Sequence, residues 1–215
     1  MMRPDHIEEI ILEDPEDVRR FLEDNDLSVE GVLFVRDAAH IHMVDTSPLM
    51  ALNAPGTLAY HYGLLETRVQ FLGQKWEISR KGGIEVIFHV EKNIKLGYQN
   101  VDLACVRTIT PNPRTGKGVG SERECEANLF EYFGVAAPKM THSTKDIVPV
   151  FYIMVDERGA VEVSRPVIED KKFTGFIVRA FVSDGSDLDE QEVVPSGDLE
   201  APVDDFEVPV VRRQP

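Results

Sequence analysis

Ile84-Glu85-Val86-Ile87-Phe88-His89-Val90 is the stretch on which the fold class turns. Ile84, Val86, Phe88 and Val90 alternate with Glu85, Ile87 and His89, the two-residue period of a strand with one face buried. Lys95 to Val106 follows as its partner, with a phase slip near Gly97 that would suit a β-bulge. On this reading Phe88 lies in the inward row with Val86 and Val90, and Trp76 belongs to the core.

Working outward, the residues before this strand read as helical. Leu58, Tyr62, Leu65, Val69 and Leu72 are spaced 4, 3, 4 and 3, a single helical seam that Gly73 closes. The spacing predicts a helix from about Thr57 to Leu72 whose seam packs on a sheet or on another helix. Asp14-Pro15-Glu16-Asp17 opens an earlier helix. Asp is a good cap, proline suits the first helical position, and acids in the first turn meet the positive end of the helix dipole. Val18, Phe21 and Leu22 give that helix its apolar stripe. Between the two, Val32-Leu33-Phe34-Val35 and His40-Ile41-His42-Met43-Val44 flank Arg36-Asp37-Ala38-Ala39 and read as a β-hairpin. Pro48, Pro55 and Gly56 mark an irregular crossing.

On the other side, Ser121-Glu122-Arg123-Glu124 is a capping box. Its helix would run through Cys125, Leu129 and Phe133 to Gly134. Val148 to Val155 is an unbroken apolar run of strand length, as expected of a central strand covered on both faces. Asp156-Glu157-Arg158-Gly159 supplies a turn, Ala160 to Val163 returns, and Phe173 to Val182 is a last strand. Sequential strands punctuated by helices, without strict βαβ alternation, predict an α+β fold with a mainly antiparallel sheet and about three helices. The chain divides into an acidic helical segment over 1–30, a single α+β domain over 31–183 and an acidic, Pro-containing tail over 184–215.

The 215 residues are 42% hydrophobic and 28% charged, ordinary globular usage that excludes collagen-like, coiled-coil and wholly disordered chains. No apolar run approaches the roughly 20 residues of a membrane span. Met1-Met2-Arg3-Pro4-Asp5-His6 leads into acids rather than into the apolar core of a signal peptide. Two cysteines, Cys105 and Cys125, exclude a disulfide scaffold and a four-cysteine zinc site. A cytoplasmic chain with reduced thiols and no membrane partner is expected.

The net charge of −15 is unevenly placed. Residues 1–30 hold 11 acids and 3 bases, residues 184–215 hold 10 acids and 2 bases, and residues 31–183 hold 17 acids and 18 bases. The extremities are negative and the body is neutral. The tail has little to bury and much like charge, so alone it should be disordered. It is either a solubilising extension or a partner-binding element in which Leu199, Val203, Phe206 and Val208 dock on a protein or the carboxylates occupy a basic groove.

Within the neutral body, Leu103 to Ser121 contains Arg107, Arg114 and Lys117 and no acid. It ends in the Gly-rich loop Arg114-Thr115-Gly116-Lys117-Gly118-Val119-Gly120-Ser121, which feeds the capped helix. Glycines let backbone N–H groups approach an anion, and a helix N-terminus presents unpaired donors. Arg107, Arg114, Lys117, Gly118, Gly120, Ser121 and Arg123 are therefore the candidate ligand-binding residues. This is neither a Walker loop, which needs Gly where Pro111 stands and Ser or Thr where Gly118 stands, nor a dinucleotide loop, and no cofactor is implied. Ten bases against five acids from Arg68 to Arg123, with Trp76, Phe88 and Tyr98 among them, are the composition of a surface for single-stranded nucleic acid. An acidic tail could mask such a surface.

The expectation is a non-enzymatic binding protein for single-stranded nucleic acid or another phosphate-bearing ligand, with a protein partner engaged through the acidic tail. Two other classes stand beside it. Asp102 with Glu85 or His89 could hold a metal for phosphodiester hydrolysis, as in a metal-dependent phosphoesterase or nuclease. The acidic ends could instead serve an assembly protein or a nucleic-acid mimic. His40 and His42, two apart on a strand, would face the same way and could chelate a metal, although exposed strand histidines are commoner.

Overall fold

The computed structural model describes residues 8–115, 121–122, 125 and 148–189. At its centre lies β5 (Val150–Val155), buried at all six positions as its unbroken apolar run requires. The other strands are β1 (Ile10–Leu12), β2 (Trp76–Ser79), β3 (Val86–His89), β4 (Ile94–Asn100), β6 (Val161–Glu169) and β7 (Lys172–Ser183). They form one seven-stranded sheet in the order β1-β7-β6-β5-β4-β3-β2. The fold is α+β, but the sheet is mixed rather than mainly antiparallel. Two neighbouring hairpin systems, β2-β3-β4 and β5-β6-β7, are antiparallel within themselves and meet through the parallel pair β4·β5. β1 adds parallel to β7 at one edge. Parallel pairing follows from connectivity: a crossover of some fifty residues separates β4 from β5, and such a length can bring the chain back to the same end of the sheet.

Three helices cover one face: α1 (Pro15–Asp24), α2 (Val29–Val44) and α3 (Ala54–Phe71). α1 starts as the sequence indicates, with Asp14 accepting the Glu16 and Asp17 N–H groups and Val18 and Leu22 buried. α2 replaces the expected hairpin. Its cap is Ser28, whose Oγ accepts the Gly31 N–H at 3.1 Å. Arg36-Asp37-Ala38-Ala39 offers no Gly, Pro or Asn on which to reverse the chain. Val32, Val35, Ala39 and Met43 recur at 3, 4 and 4 residues, and this is the stripe that packs into the core. The strand preference of valine and isoleucine yields to that packing.

α3 forms where expected, yet with the other side inward. Ala59, Gly63, Leu64 and Thr67 are buried, while Leu65, Val69 and Leu72 are exposed. The small residues Ala59 and Gly63 let the helix lie close on the sheet. A Cβ at Gly63 would overlap the Tyr98 ring, so the bulk at this contact comes from the sheet. Of the expected Ser121 helix only Ser121, Glu122 and Cys125 are described, with the Cys125 N–H donating to the Ser121 carbonyl at 3.0 Å; the rest of that segment, and residues 190–215, lie outside the described residues.

β3 also differs in phase from its pattern. Ile87 packs with the helical side of the core, His89 is fully buried, and Val90 stands half exposed. Both faces of the sheet are covered at β3, so alternation of polarity does not report which face is inward. His89 is admitted to the interior because Asp26 accepts from its Nε2 at 2.9 Å and the ring meets Trp76 edge to face. Asp26 also holds Lys75 and Lys92. These cations and His89 keep its carboxyl far below the usual carboxylate range. Gly97 is no bulge: β3 and β4 pair in unbroken register from His89↔Ile94 to Val86↔Gly97. Its missing side chain makes room for the Tyr152 ring, 2.8 Å from where a Cβ would sit.

The opposite face is closed by a smaller cluster that includes Val150, Tyr152, Met154, Phe173, Phe176 and Cys125. Beside it lies a buried ion pair. Arg179 Nε and Nη2 donate to the two oxygens of Glu162 at 2.9 and 2.7 Å. Glu162 also accepts from the Cys105 N–H and the Ser164 hydroxyl, each at 2.8 Å. Arg179 Nη1 reaches the Val106 and Ile109 carbonyls, which fastens the chain leaving β4 onto the sheet. The Cys105 thiol donates to the Val161 and Ser183 carbonyls, and burial pushes its pKa far up, so it is an unreactive thiol.

Candidate functional site

β3 stops opposite Gly97, three residues before β4 does. Tyr98, Gln99 and Asn100 therefore run on without a β3 neighbour, until Pro113 folds back to bridge Val101. The gap between these two neighbours is a cleft of about 580 Å³ at the carboxyl ends of the parallel pair β4·β5, a volume in the range of small-molecule sites. The first turn of α3 forms one wall with Asn53, Pro55, Gly56 and Thr57, and Gly83 to Glu85 form the rim opposite. Arg114, Thr115, Ser121 and Glu157 close the end.

The walls are polar groups held in place by one another. The Tyr98 hydroxyl donates to Asn100 Oδ1 at 2.8 Å, Asn100 Nδ2 donates to the Gly56 carbonyl at 2.7 Å, and the Arg114 N–H donates to the Asn100 carbonyl at 3.1 Å. Asn100 thus ties the α3 end to the strand and to the returning loop. The α3 N-terminus has no side-chain cap and no acid in its first turn, so its positive end is uncompensated within the helix. Arg114 forms an ion pair with Glu157 and donates through Nε to the Val101 carbonyl. Glu85, on the opposite rim, is held by Arg68 and Arg80. Burial is the main reason the phenols of Tyr60, Tyr98 and Tyr152 titrate above the usual tyrosine range. All three are neutral hydrogen-bonding groups at physiological pH.

Of the candidate binding residues, Arg114 and Ser121 line the cleft. Arg107 does not: it is exposed and makes a two-pronged pair with Glu13, at 3.1 and 3.0 Å. Lys117, Gly118, Gly120 and Arg123 lie outside the described residues. The wider basic stretch is heavily compensated, with Arg68, Lys75, Arg80, Lys92, Arg107 and Arg114 each paired to a carboxylate.

The metal-site candidates do not converge. Asp102 accepts from the Asn112 backbone and side-chain N–H groups and stabilises its own loop; Glu85 stands on the cleft rim between two arginines; His89 is buried against Asp26. His40 and His42 are on α2 and not on a strand. Two residues apart on a helix they point about 200° from each other, and His42 stacks on Tyr62 with ring centroids 3.3 Å apart. Among the described residues no group of three or more His, Cys, Asp or Glu is placed to hold a metal, and no helix is long and apolar enough to cross a membrane.

Asn53, Thr57, Tyr60, Asn100 and Glu157 are cleft residues that the sequence did not mark. They come from three separate segments, the start of α3, the end of β4 and the turn after β5, and no spacing links the three; the one local hint is the Pro55-Gly56 break, which proves to be the start of α3. Compared with protein-family models, with curated proteins and with solved structures, the chain matches none.

Proposed function

We propose that this is a non-enzymatic binding protein whose cleft takes a phosphate-bearing small ligand of nucleotide size. The observation that carries the reading is the meeting, in one cleft of about 580 Å³, of the α3 N-terminus without a side-chain cap, Arg114 and the Ser121 hydroxyl. A phosphate there would take Arg114 from Glu157 and accept from the Gly56 N–H, since Pro55 has no N–H and those of Ala54 and Thr57 donate to the Ala51 and Asn53 carbonyls. Asn53, Thr57, Gln99 and Asn100 supply donors and acceptors for a base or sugar. The pairing of the surface cations with carboxylates supports a compact ligand over an extended nucleic-acid track, whose affinity would rest on free cations.

Isothermal titration calorimetry with a panel of nucleotides and inorganic phosphate tests the reading. Binding of at least one of them is expected, weakened about tenfold or more in Arg114→Ala, the size of a lost charged hydrogen bond. Absence of heat at millimolar ligand sinks it. A gel shift with single-stranded DNA and RNA at low salt, on the full chain and on a chain ending at Asp189, which keeps the Arg36–Asp187 pair, tests the extended alternative with and without its acidic mask. A shift that the truncation strengthens would favour that alternative over the small ligand.

A further inference from the structure

We infer that the outer face of the α2–α3 hairpin is the interface of a twofold homodimer. The two helices lie antiparallel, with Gly31 against the Phe71 ring and His42 on Tyr62. This register sets Phe34 level with Val69 and Ile41 level with Tyr62. Phe34, Ile41, Leu65 and Val69 are each 52–62% exposed and bring apolar side chains to neighbouring levels of the two helices. Val44 at the last position of α2, Leu49 and Met50 after it, and Leu72 after the end of α3 add to this surface. Together these side chains present on the order of 1,000 Å² of apolar surface, above the roughly 300–600 Å² usual for the largest patch on a monomer. It matches the roughly 800 Å² that each partner gives to a standard interface.

The occupant follows from the pattern. Leu58, Tyr62, Leu65, Val69 and Leu72 keep the 4-3 spacing of a helix–helix seam, although inside this protein α3 buries Ala59, Gly63, Leu64 and Thr67, leaving Leu58 and Tyr62 half-buried and Leu65, Val69 and Leu72 exposed. The seam is also self-complementary. An antiparallel pairing of α3 with its copy, about an axis at Leu65, places Leu58 opposite Leu72 and brings Tyr62 within one residue of level with Val69. Phe34 and Ile41 of each α2 then complete a four-helix layer. Charge allows the approach: residues 29–71 carry four acids and two bases, and the negative extremities lie elsewhere in the sequence. A lipid surface fits less well, since a membrane-lying helix carries Lys and Arg along its polar flank, and here the flank offers Glu30, Asp37, Asp45 and Glu66.

Sedimentation equilibrium of the full chain is expected to give a mass of twice 24.2 kDa at micromolar concentration. Leu65→Glu sets two carboxylates against each other on the axis and should weaken the dimer at least a hundredfold with unchanged helical circular dichroism. Ile78→Glu, an exposed apolar residue on β2, should leave it intact. Leu65→Cys, oxidised by dioxygen with copper–phenanthroline, should yield a disulfide-linked dimer, each pair of thiols giving up two electrons and two protons. This variant keeps an apolar side chain and reads the interface even if the glutamate variant fails to fold. A monomeric full chain overturns the inference. So does a dimer untouched by Leu65→Glu and uncrosslinked in Leu65→Cys, or dimerisation that appears only once the chain is ended at Asp189, which would mean that its own C-terminal segment covers the face.

Discussion

Two arginine–glutamate pairs set the dry interior of the sheet against the open cleft. Arg179–Glu162, between β7 and β6, has both side chains at no more than 1% exposure and every oxygen of the carboxylate engaged. Arg114–Glu157, in the cleft, is 36% and 58% exposed and has few other partners. The chemistry is the same and the environment is not. Removing one member of a dry pair strands a charge that water cannot reach, whereas removing one member of a wet pair lets water take its place. The first pair can only hold the fold together; the second is the one that the proposed ligand would displace.

The comparison breaks most sharply at its dry end. Glu162→Ala or Arg179→Ala is expected to cost about 3–5 kcal/mol in urea denaturation, the usual penalty for an unpaired buried charge. A cost below 1 kcal/mol would mean that water enters between β6 and β7. Next in size, Gly63→Ala forces the Tyr98 ring away from α3, and overpacking of this kind costs about 1–3 kcal/mol. Because Tyr98 orients Asn100, ligand affinity should fall along with stability.

Arg36–Asp187 is intermediate, with Arg36 buried and Asp187 44% exposed, and it sharpens the scale. The Arg36 guanidinium lowers the Asp187 carboxyl from 3.8 to about 2. A depressed carboxyl stabilises the folded state above its unfolded value and loses that contribution as pH falls through the folded one. The native chain should therefore exceed Asp187→Asn in stability by about 1 kcal/mol above about pH 5, after allowance for solvent screening. The gap should close between pH 4 and pH 2 in thermal melts. A gap independent of pH would show that the carboxylate charge is not what Arg36 uses. Smallest of all, Arg114→Ala should alter stability by no more than about 0.5 kcal/mol, while abolishing most phosphate-dependent binding. A large stability loss there would place Arg114 among the supports.

Much of the fold was legible in local chemistry. The Asp14 cap, the apolar run at Val150–Val155, the Asp156 turn and the last strand all stand where the residues put them, because caps, turns and fully covered strands depend on near neighbours. α2 was not legible as a helix, since its valines satisfy a short strand pattern as well as the longer helical one, and only burial decides between them. Nor was the inward side of α3 or β3: an apolar seam states that a face can be covered, not that this protein covers it. The cleft was half legible. Arg114 and Ser121 belong to it, and Arg107 proved to be a partner of Glu13.

What the sequence determined by itself was the α+β class, the extent of β5 and β7, the neutral body between acidic ends and the acid-free segment that delivers Arg114. What only the tertiary structure decided was the parallel joining of β4 to β5, the early end of β3 that opens the cleft, and the meeting of α3's first turn with residues some sixty and a hundred positions away. Local free energies of a few neighbouring residues set the first group. The second depends on which distant surfaces exclude water together, and no stretch of chain carries that information alone.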